Sequence, residues 1–226
     1  MDSATDSTGA RNRMVETQIV RRGVRDPAVL EAMRTVPREA FVSPGFEDAA
    51  YDDSALPIGE GQSISQPYIV AVMLEAAALK DGDRVLEIGA GSGYAAALLS
   101  RIAAKVFAIE RDAALTDAAR ESLWKLGYGN IALKAGDGSN GWPEAAPFDA
   151  IIVSAGVPEI PQALKNQLVL GGRLVIPVGS LDEQRLVSLT RLSENGFQRR
   201  ELEPVRFVRL IGASGWPSLD RKMPQA

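Results

Sequence analysis

The segment VLEIGAGSGY, residues Val85 to Tyr94, places three glycines at every second position directly behind an apolar run. Glycines so spaced mark a turn whose backbone angles, or whose closeness to a neighbour, a Cβ would forbid. Around this turn the chain alternates. Short apolar runs, RVLEI, AKVFAIE, NIALKAG, FDAIIVSAG, GGRLVIPVG and EQRLVSLTRL, begin at Arg84, and helix-length stretches such as SGYAAALLSRIA and DAALTDAARESLWKLGY stand between the first of them. That order predicts an α/β fold, a doubly wound, mostly parallel sheet with helices on both faces. The last part, LVSLTRLSENGFQRRELEPVRFVRL, has two apolar runs around Asn195 and Gly196, which predicts an antiparallel hairpin at the sheet edge.

The region before Arg84 reads differently. Residues 1 to about 12, rich in Ser, Thr, Asp and Gly, are expected to be disordered. MVETQIVRRG predicts a helix stopped by Gly23, and DPAVLEAMRTV one capped by Asp26 with Pro27 at its first position. Pro, Gly, Ser and Asp crowd the stretch from Pro37 to Gln66, which predicts a long loop, and PYIVAVMLEAAAL resumes as a helix. The polar start and the absence of a long apolar run lead to the expectation of a cytoplasmic protein without a membrane partner.

Composition narrows the chemistry. The 226 residues hold 25 basic and 29 acidic side chains, a formal charge of -4, so no basic field is available for nucleic acid. Cysteine and histidine are both absent. Thiolate nucleophiles, Cys/His zinc sites and imidazole bases are thereby excluded, and no metal site is expected. A reaction whose nucleophile arrives already ionised meets that limit most simply.

In a doubly wound sheet the ligand meets the carboxyl ends of the strands, so Gly89, Gly91 and Gly93 are candidates for close backbone approach. The spacing is G-x-G-x-G after Glu87, and Tyr94 stands where a dinucleotide fingerprint needs its last glycine. Glu110 closes the second strand some twenty residues beyond the first glycine, a separation at which a carboxylate in this fold meets ribose hydroxyls. Asp137, in AGDGSNGW, follows the third strand and is a candidate acceptor for an adenine amine. Three acids in one pocket suit a cationic adenosine ligand such as S-adenosylmethionine better than a pyrophosphate.

From about Arg13 to about Gly212 the chain resembles the protein-L-isoaspartate (D-aspartate) O-methyltransferases, within the Rossmann-like class I methyltransferase fold. The likeness is carried in order by VPREAFV, AYDDSALPIGEGQSISQPYIVAVM, VLEIGAGSGY, GDGSNGW, FDAIIVSAGVPEIP, GGRLVIPVG and VRFVRLIG. It implies methyl transfer from S-adenosylmethionine to the α-carboxylate of L-isoaspartyl residues in damaged proteins and peptides, by an enzyme expected to be monomeric. The resemblance makes Ser65 the active-site serine, with Gln66 and Val208 beside the substrate. Glu87, Gly89, Gly91, Gly93, Glu110, Asp137 and Gly138 would bind the donor. The organisation it implies is a helical cap and substrate loop over 13–80, a donor-binding core over 81–212, and a tail over 213–226 with no assigned role.

A carboxylate acceptor is ionised at neutral pH and needs no base, which agrees with the missing histidine. Ser65 would orient that acceptor, and it could equally cap the helix that begins near Pro67. The loop from Tyr51 to Gln66 is a candidate lid, and Asp52 and Asp53 are expected to be solvated or capping. Two segments depart from the family pattern. SAGVPEIP stands where TAAPPEIP is common and FVRL where FVPL is common, which places Gly156, Val157 and Arg209 on the substrate side. Losing two prolines there is expected to loosen or reshape the acceptor site. A related carboxyl methyltransferase with another acceptor and an inactive donor-binding module are the competing readings.

Overall fold

The computed structural model describes residues 3–217. Helix α1 (Ser3–Met14) runs on through a π turn over Val15–Ile19 and a 3-10 turn over Val20–Arg22 to Gly23, whose φ of 102° stops it as the sequence predicts. The disorder expected through residue 12 is a misreading from Ser3 onward. Arg11 supplies the reason, because its guanidinium is buried among groups far away in sequence. Nε donates to the Tyr51 hydroxyl at 2.9 Å, and Nη1 donates to the carbonyls of Arg34 and Thr35, each at 3.2 Å. Nη2 pairs with Glu39 at 3.3 Å. Composition carries no trace of such long-range contacts, which override local preference.

Helix α2 (Pro27–Thr35) starts as its capping signal predicts, with Asp26 accepting from the amides of Ala28 and Val29 at 2.9 and 3.2 Å. The long loop contains a small hairpin that the sequence reading missed, β1 (Leu56–Gly59) and β2 (Gln62–Ile64). Helix α3 (Pro67–Ala77) then leads into the main sheet.

The alternating half builds β3 (Arg84–Ile88), α4 (Tyr94–Ser100), β4 (Lys105–Glu110), α5 (Ala113–Lys125), β5 (Ile131–Ala135), β6 (Phe148–Val153), α6 (Gln162–Asn166), β7 (Leu168–Gly179), β8 (Gln184–Arg191) and β9 (Phe197–Val205). The seven strands lie in the order β5-β4-β3-β6-β7-β8-β9. Strands β3 to β7 pair in parallel, and β8 and β9 form the expected antiparallel edge hairpin. The run EQRLVSLTRL is thus the first arm of that hairpin and runs against β7.

Strand periodicity divides the core between the two faces. Val85, Ala150, Ile152 and Val175 point to the face that packs the N-terminal helices and α4. Leu86, Ile88, Ile151, Val153, Leu174 and Ile176 fill the other. The chain leaves β3 toward β4 on one side and returns to β6 on the other, so the crevice between the ends of β3 and β6 is the topological switch point. Tyr94, first residue of α4, is 2% exposed, with its ring 5.8 Å from that of Phe41 and under the guanidinium of Arg38 at 4.9 Å. The aromatic ring fills the position where a dinucleotide motif needs glycine.

Candidate active site

The turn after β3 is stitched to the neighbouring strand. The amides of Gly89 and Ala90 donate to the Ile109 carbonyl at 2.8 and 3.2 Å, and the amide of Gly91 donates to Glu110 Oε2 at 2.8 Å. Gly89, Gly91 and Gly93 all have positive φ, 84°, 53° and 87°, a region where a Cβ strains the backbone. Their surroundings differ. Gly89 and Gly91 line a cavity of about 370 Å³ at the carboxyl ends of β3 and β4, whereas Gly93 stands outside its wall. A Cβ on Gly93 would press on Leu123 and Ala119 of α5 at 3.3 and 3.4 Å, so the third glycine serves helix packing.

Glu87 is fully buried in that cavity's wall, and neither carboxylate oxygen has a hydrogen-bond partner among the described residues. Burial first, and the charge of Glu110 second, push its pKa well above the ordinary carboxylate range. A buried acid without a partner is costly to folding and characteristic of functional clefts. Glu110, also in the wall, is 8% exposed and already committed to the backbone, since Oε1 accepts from the Asp112 amide at 2.9 Å while Oε2 holds Gly91. Each oxygen retains accepting capacity toward a hydroxyl.

The third acid is placed otherwise than expected. Gly138 lines the cavity and Asp137 does not. Asp137 Oδ1 accepts from the Ser139 amide at 2.8 Å, and Oδ2 from the Ala213 amide at 2.7 Å. The carboxylate therefore tethers the chain's last described segment, which sequence reading left without a role. Ser214 extends the tether, its amide donating to Ser139 Oγ at 2.9 Å and its hydroxyl to Asn140 at 2.8 Å. Leu210 and Ile211, just ahead of this tether, line the same cavity. Arg111, Asp112 and Ser154 complete it from the ends of β4 and β6. Their position after strand ends was the only signal that could have found them.

A second groove, of about 500 Å³, adjoins the first. Gln66 and the segment Pro204 to Val208 line it, and Ser63, Ser65, Ser154 and Val208 belong to both walls. Ser65 thus stands at the junction. Its hydroxyl makes no hydrogen bond among the described residues, and α3 is preceded by Gln66, so Ser65 does not cap the helix. Asp53 pairs with Arg22 at 3.0 Å on the surface, as a solvated acid should. The hairpin of β1 and β2 covers the junction, with Glu60, Gln62 and Ser63 in the wall of the first cavity. A Cβ on Gly91 would come 3.1 Å from Ile58 Cδ1, which shows how closely the hairpin rests on the glycine turn.

The family model for protein-L-isoaspartate(D-aspartate) O-methyltransferase matches residues 9–215. This chain belongs to that family. Among its relatives, the protein-L-isoaspartate O-methyltransferase 1 of Rhodopseudomonas palustris (strain HaA2) is 59% identical over 219 residues, 96% of this chain and 89% of the relative. The protein-L-isoaspartate O-methyltransferase of Methylorubrum extorquens (strain PA1) is 60% identical over 210 residues, 93% of this chain and 92% of that protein. A solved protein-L-isoaspartate O-methyltransferase superposes with a TM-score of 0.83 at 30% identity, covering 91% of this chain and 67% of its own. A second, from Plasmodium falciparum in complex with S-adenosyl-L-homocysteine, gives 0.75 at 27% identity, covering 88% and 96%.

Within this methyltransferase frame one of the two departures, Val157, gains a bond that proline could not make. The Val157 amide donates to the Pro177 carbonyl at 3.0 Å, tying the segment after β6 to β7. Gly156 bridges to the chain at Arg209, its amide donating to the Val208 carbonyl at 2.7 Å and its carbonyl accepting from the Leu210 amide at 2.8 Å. The Arg209 guanidinium lies over the Trp216 ring at 5.9 Å, and Trp216 Nε1 donates to the Gly156 carbonyl at 3.1 Å. The Val157 bond thus offsets the loosening expected from the proline lost at that position.

Proposed function

We propose that this methyltransferase transfers the methyl group of S-adenosylmethionine to the α-carboxylate of L-isoaspartyl residues in proteins and peptides. One observation carries the assignment of parts. The hydroxyl of Ser65, without a hydrogen bond among the described residues, stands where the cavity holding Glu87 meets the groove lined by Gln66 and Val208.

The donor fits the first cavity by charge and by shape. Glu87 offers a buried carboxylate to a ligand ammonium, Gly89 and Gly91 offer backbone without side chains, and Glu110 offers acceptors to paired ribose hydroxyls. Gly138 forms a side-chain-free part of the wall, where a Cβ would strike Ile88. When bound, the donor supplies an electrophilic methyl group on its sulfonium.

The remaining work belongs to the chain's own residues. The acceptor carboxylate, with an ordinary pKa of about 4, reaches the site ionised and requires no general base. Ser65 donates a hydrogen bond to one of its oxygens and fixes the other on line with the methyl carbon. The hairpin over Gly91 excludes water, which would otherwise solvate the nucleophile. Val208 and Gln66 hold the peptide on either side of the reacting group. The acidic charge balance supports an enzyme acting on proteins rather than nucleic acid, and we take it to be monomeric and cytoplasmic.

The deciding experiment is transfer of labelled methyl to a short isoaspartyl peptide, with its aspartyl twin and the Ser65→Ala variant alongside. The isoaspartyl peptide alone should be labelled, with kcat about 10- to 100-fold lower in the variant and donor affinity unchanged. Equal labelling of both peptides, or none with the donor bound, would refute the assignment of acceptor.

A further inference from the structure

Gln184 is the first residue of β8 and is 4% exposed. Its side-chain amide lies against the backbone of Phe207 in the manner of a neighbouring strand. Oε1 accepts from the Phe207 amide at 2.8 Å, and Nε2 donates to the Phe207 carbonyl at 3.2 Å. Strand β9 ends at Val205, so these backbone groups lie beyond its ladder, and the glutamine meets a requirement that strand pairing no longer meets.

The next residues hang from the opposite side. Gly156 takes the Val208 carbonyl and gives its own carbonyl to the Leu210 amide. The segment from Phe207 to Leu210 is thus suspended between the Gln184 amide and Gly156, with the Trp216 amide donating to the Leu210 carbonyl at 2.7 Å at its far end. These two anchors also depend on each other. A Cβ at Gly156 would come 2.6 Å from Gln184 Nε2 and 2.8 Å from Cδ. The amide can take its place because residue 156 has no side chain.

We infer that Gln184 is a positioning residue for the acceptor, holding Phe207 and Val208 at the wall of the groove that Ser65 shares, and that glycine at 156 is the clearance this clamp requires. The inference rests on reading that groove as the acceptor site. It adds to that reading a residue that touches neither donor nor acceptor, and it gives a reason for the glycine where the family commonly has alanine.

The test compares wild type, Gln184→Ala, Gly156→Ala and the double variant by three measurements. These are KM and kcat for the isoaspartyl peptide, donor affinity by calorimetry, and amide hydrogen exchange over residues 205–210. Gln184→Ala should raise peptide KM about tenfold, equivalent to about 1.4 kcal/mol, with donor affinity unchanged and faster exchange at Phe207. Gly156→Ala should do the same, since it displaces the amide. In the Gln184→Ala background the added methyl group has room, so Gly156→Ala should cause no further loss. Should Gln184→Ala fail to fold, Gln184→Met, which keeps the volume and lacks the amide, should show the same rise in peptide KM and the same faster exchange at Phe207. Unchanged exchange at Phe207 would overturn the clamp whatever the activity. Fully additive losses, or equal losses in peptide and donor affinity, would show a general structural role and overturn it as well. Failure of wild type to label the isoaspartyl peptide would instead strike the acceptor assignment, and the exchange data would still decide the clamp.

Discussion

Glu87 and Glu110 stand at the ends of the neighbouring strands β3 and β4 and act on each other electrostatically, and among the described residues only the Glu110 side chain has hydrogen-bond partners. Glu110 holds the glycine turn from within, while Glu87 lines the same cavity with no hydrogen bond to either oxygen among the described residues. Burial and the like charge hold the Glu87 pKa above its unfolded value of about 4.3, so the fold favours its protonated form. The stability this gives is complete below about pH 4 and is lost as pH rises through the folded pKa. Glu87→Gln, neutral at every pH, should therefore melt at a higher temperature than wild type at pH 7, with the two curves converging near pH 4. The same variant should lose donor affinity in calorimetry. A lower melting temperature at pH 7 would mean that Glu87 is ionised and compensated in the free protein.

The hairpin of β1 and β2 rests on the glycine turn, so donor affinity and lid position should be coupled. Gly91→Ala adds a methyl group 3.1 Å from Ile58 Cδ1, at a φ of 53°. The strain at positive φ costs about 1 kcal/mol whatever the neighbour does. The collision with Ile58 is separate and can be relieved. Gly91→Ala should weaken donor binding, and Ile58→Ala in that background should restore part of the loss. If the second substitution restores nothing, backbone strain alone accounts for the first and the hairpin is not a lid on the donor.

Arg11 is a principal fastening of the N-terminal helix, beside Met14 in the core. Arg11 is 9% exposed and bonds to Tyr51, Glu39 and two carbonyls of α2, while Tyr51 also donates to Glu39. Removing a buried guanidinium leaves the two carbonyls and Glu39 Oε1 without their donor, and the Glu39 carboxylate without its counter-charge. Arg11→Ala should cost about 3 kcal/mol of unfolding free energy, and Arg13→Ala, on the exposed side of the same helix, less than about 0.5 kcal/mol. Urea denaturation of the two variants measures the difference. Equal small losses would mean that α1 adds nothing to the stability of the fold.

Much of this arrangement was legible in the sequence, and the rest was hidden for identifiable reasons. The alternation of apolar runs and helices gave the sheet, because a strand buried on both faces leaves an unbroken apolar run such as AIIV, residues Ala150 to Val153. Asp26 with Pro27, and Gly23, gave helix ends whose signals are local. Glu87 and Gly89 were legible because the turn between β3 and α4 is itself local. What stayed hidden depends on contacts across the chain. Arg11 orders a segment of disordered composition through partners 23 to 40 residues away. Gly93 shares the spacing of its two neighbours, and only the packing of α5 separates its task from theirs. The clamp of Gln184 on Phe207 joins residues 23 apart by side chain to backbone, which leaves no periodic mark.

Asp137 is where sequence and geometry can be set against each other most directly. As an adenine acceptor it would act on the donor itself; in the structure it secures the segment from Gly212 to Trp216, which follows two residues of the cavity wall. Burial pushes its pKa up, and the hydrogen bonds from Ala213 and Ser139 with the charge of Arg111 outweigh that, leaving it below the ordinary value. A depressed carboxyl contributes stability that is complete above its unfolded pKa of about 3.9 and is lost as pH falls through the folded value. Asp137→Asn replaces one acceptor oxygen by a donor that cannot hold both amides. It should speed hydrogen exchange at Ala213 and over residues 210–216 at pH 7, weaken donor binding severalfold through Leu210 and Ile211, and lose its stability difference from wild type toward pH 3. The order of effects is decisive. Weaker donor binding with unchanged exchange in that segment would return Asp137 to the role of a direct ligand contact, and faster exchange accompanying the loss would make it the fastening of the cavity's C-terminal wall.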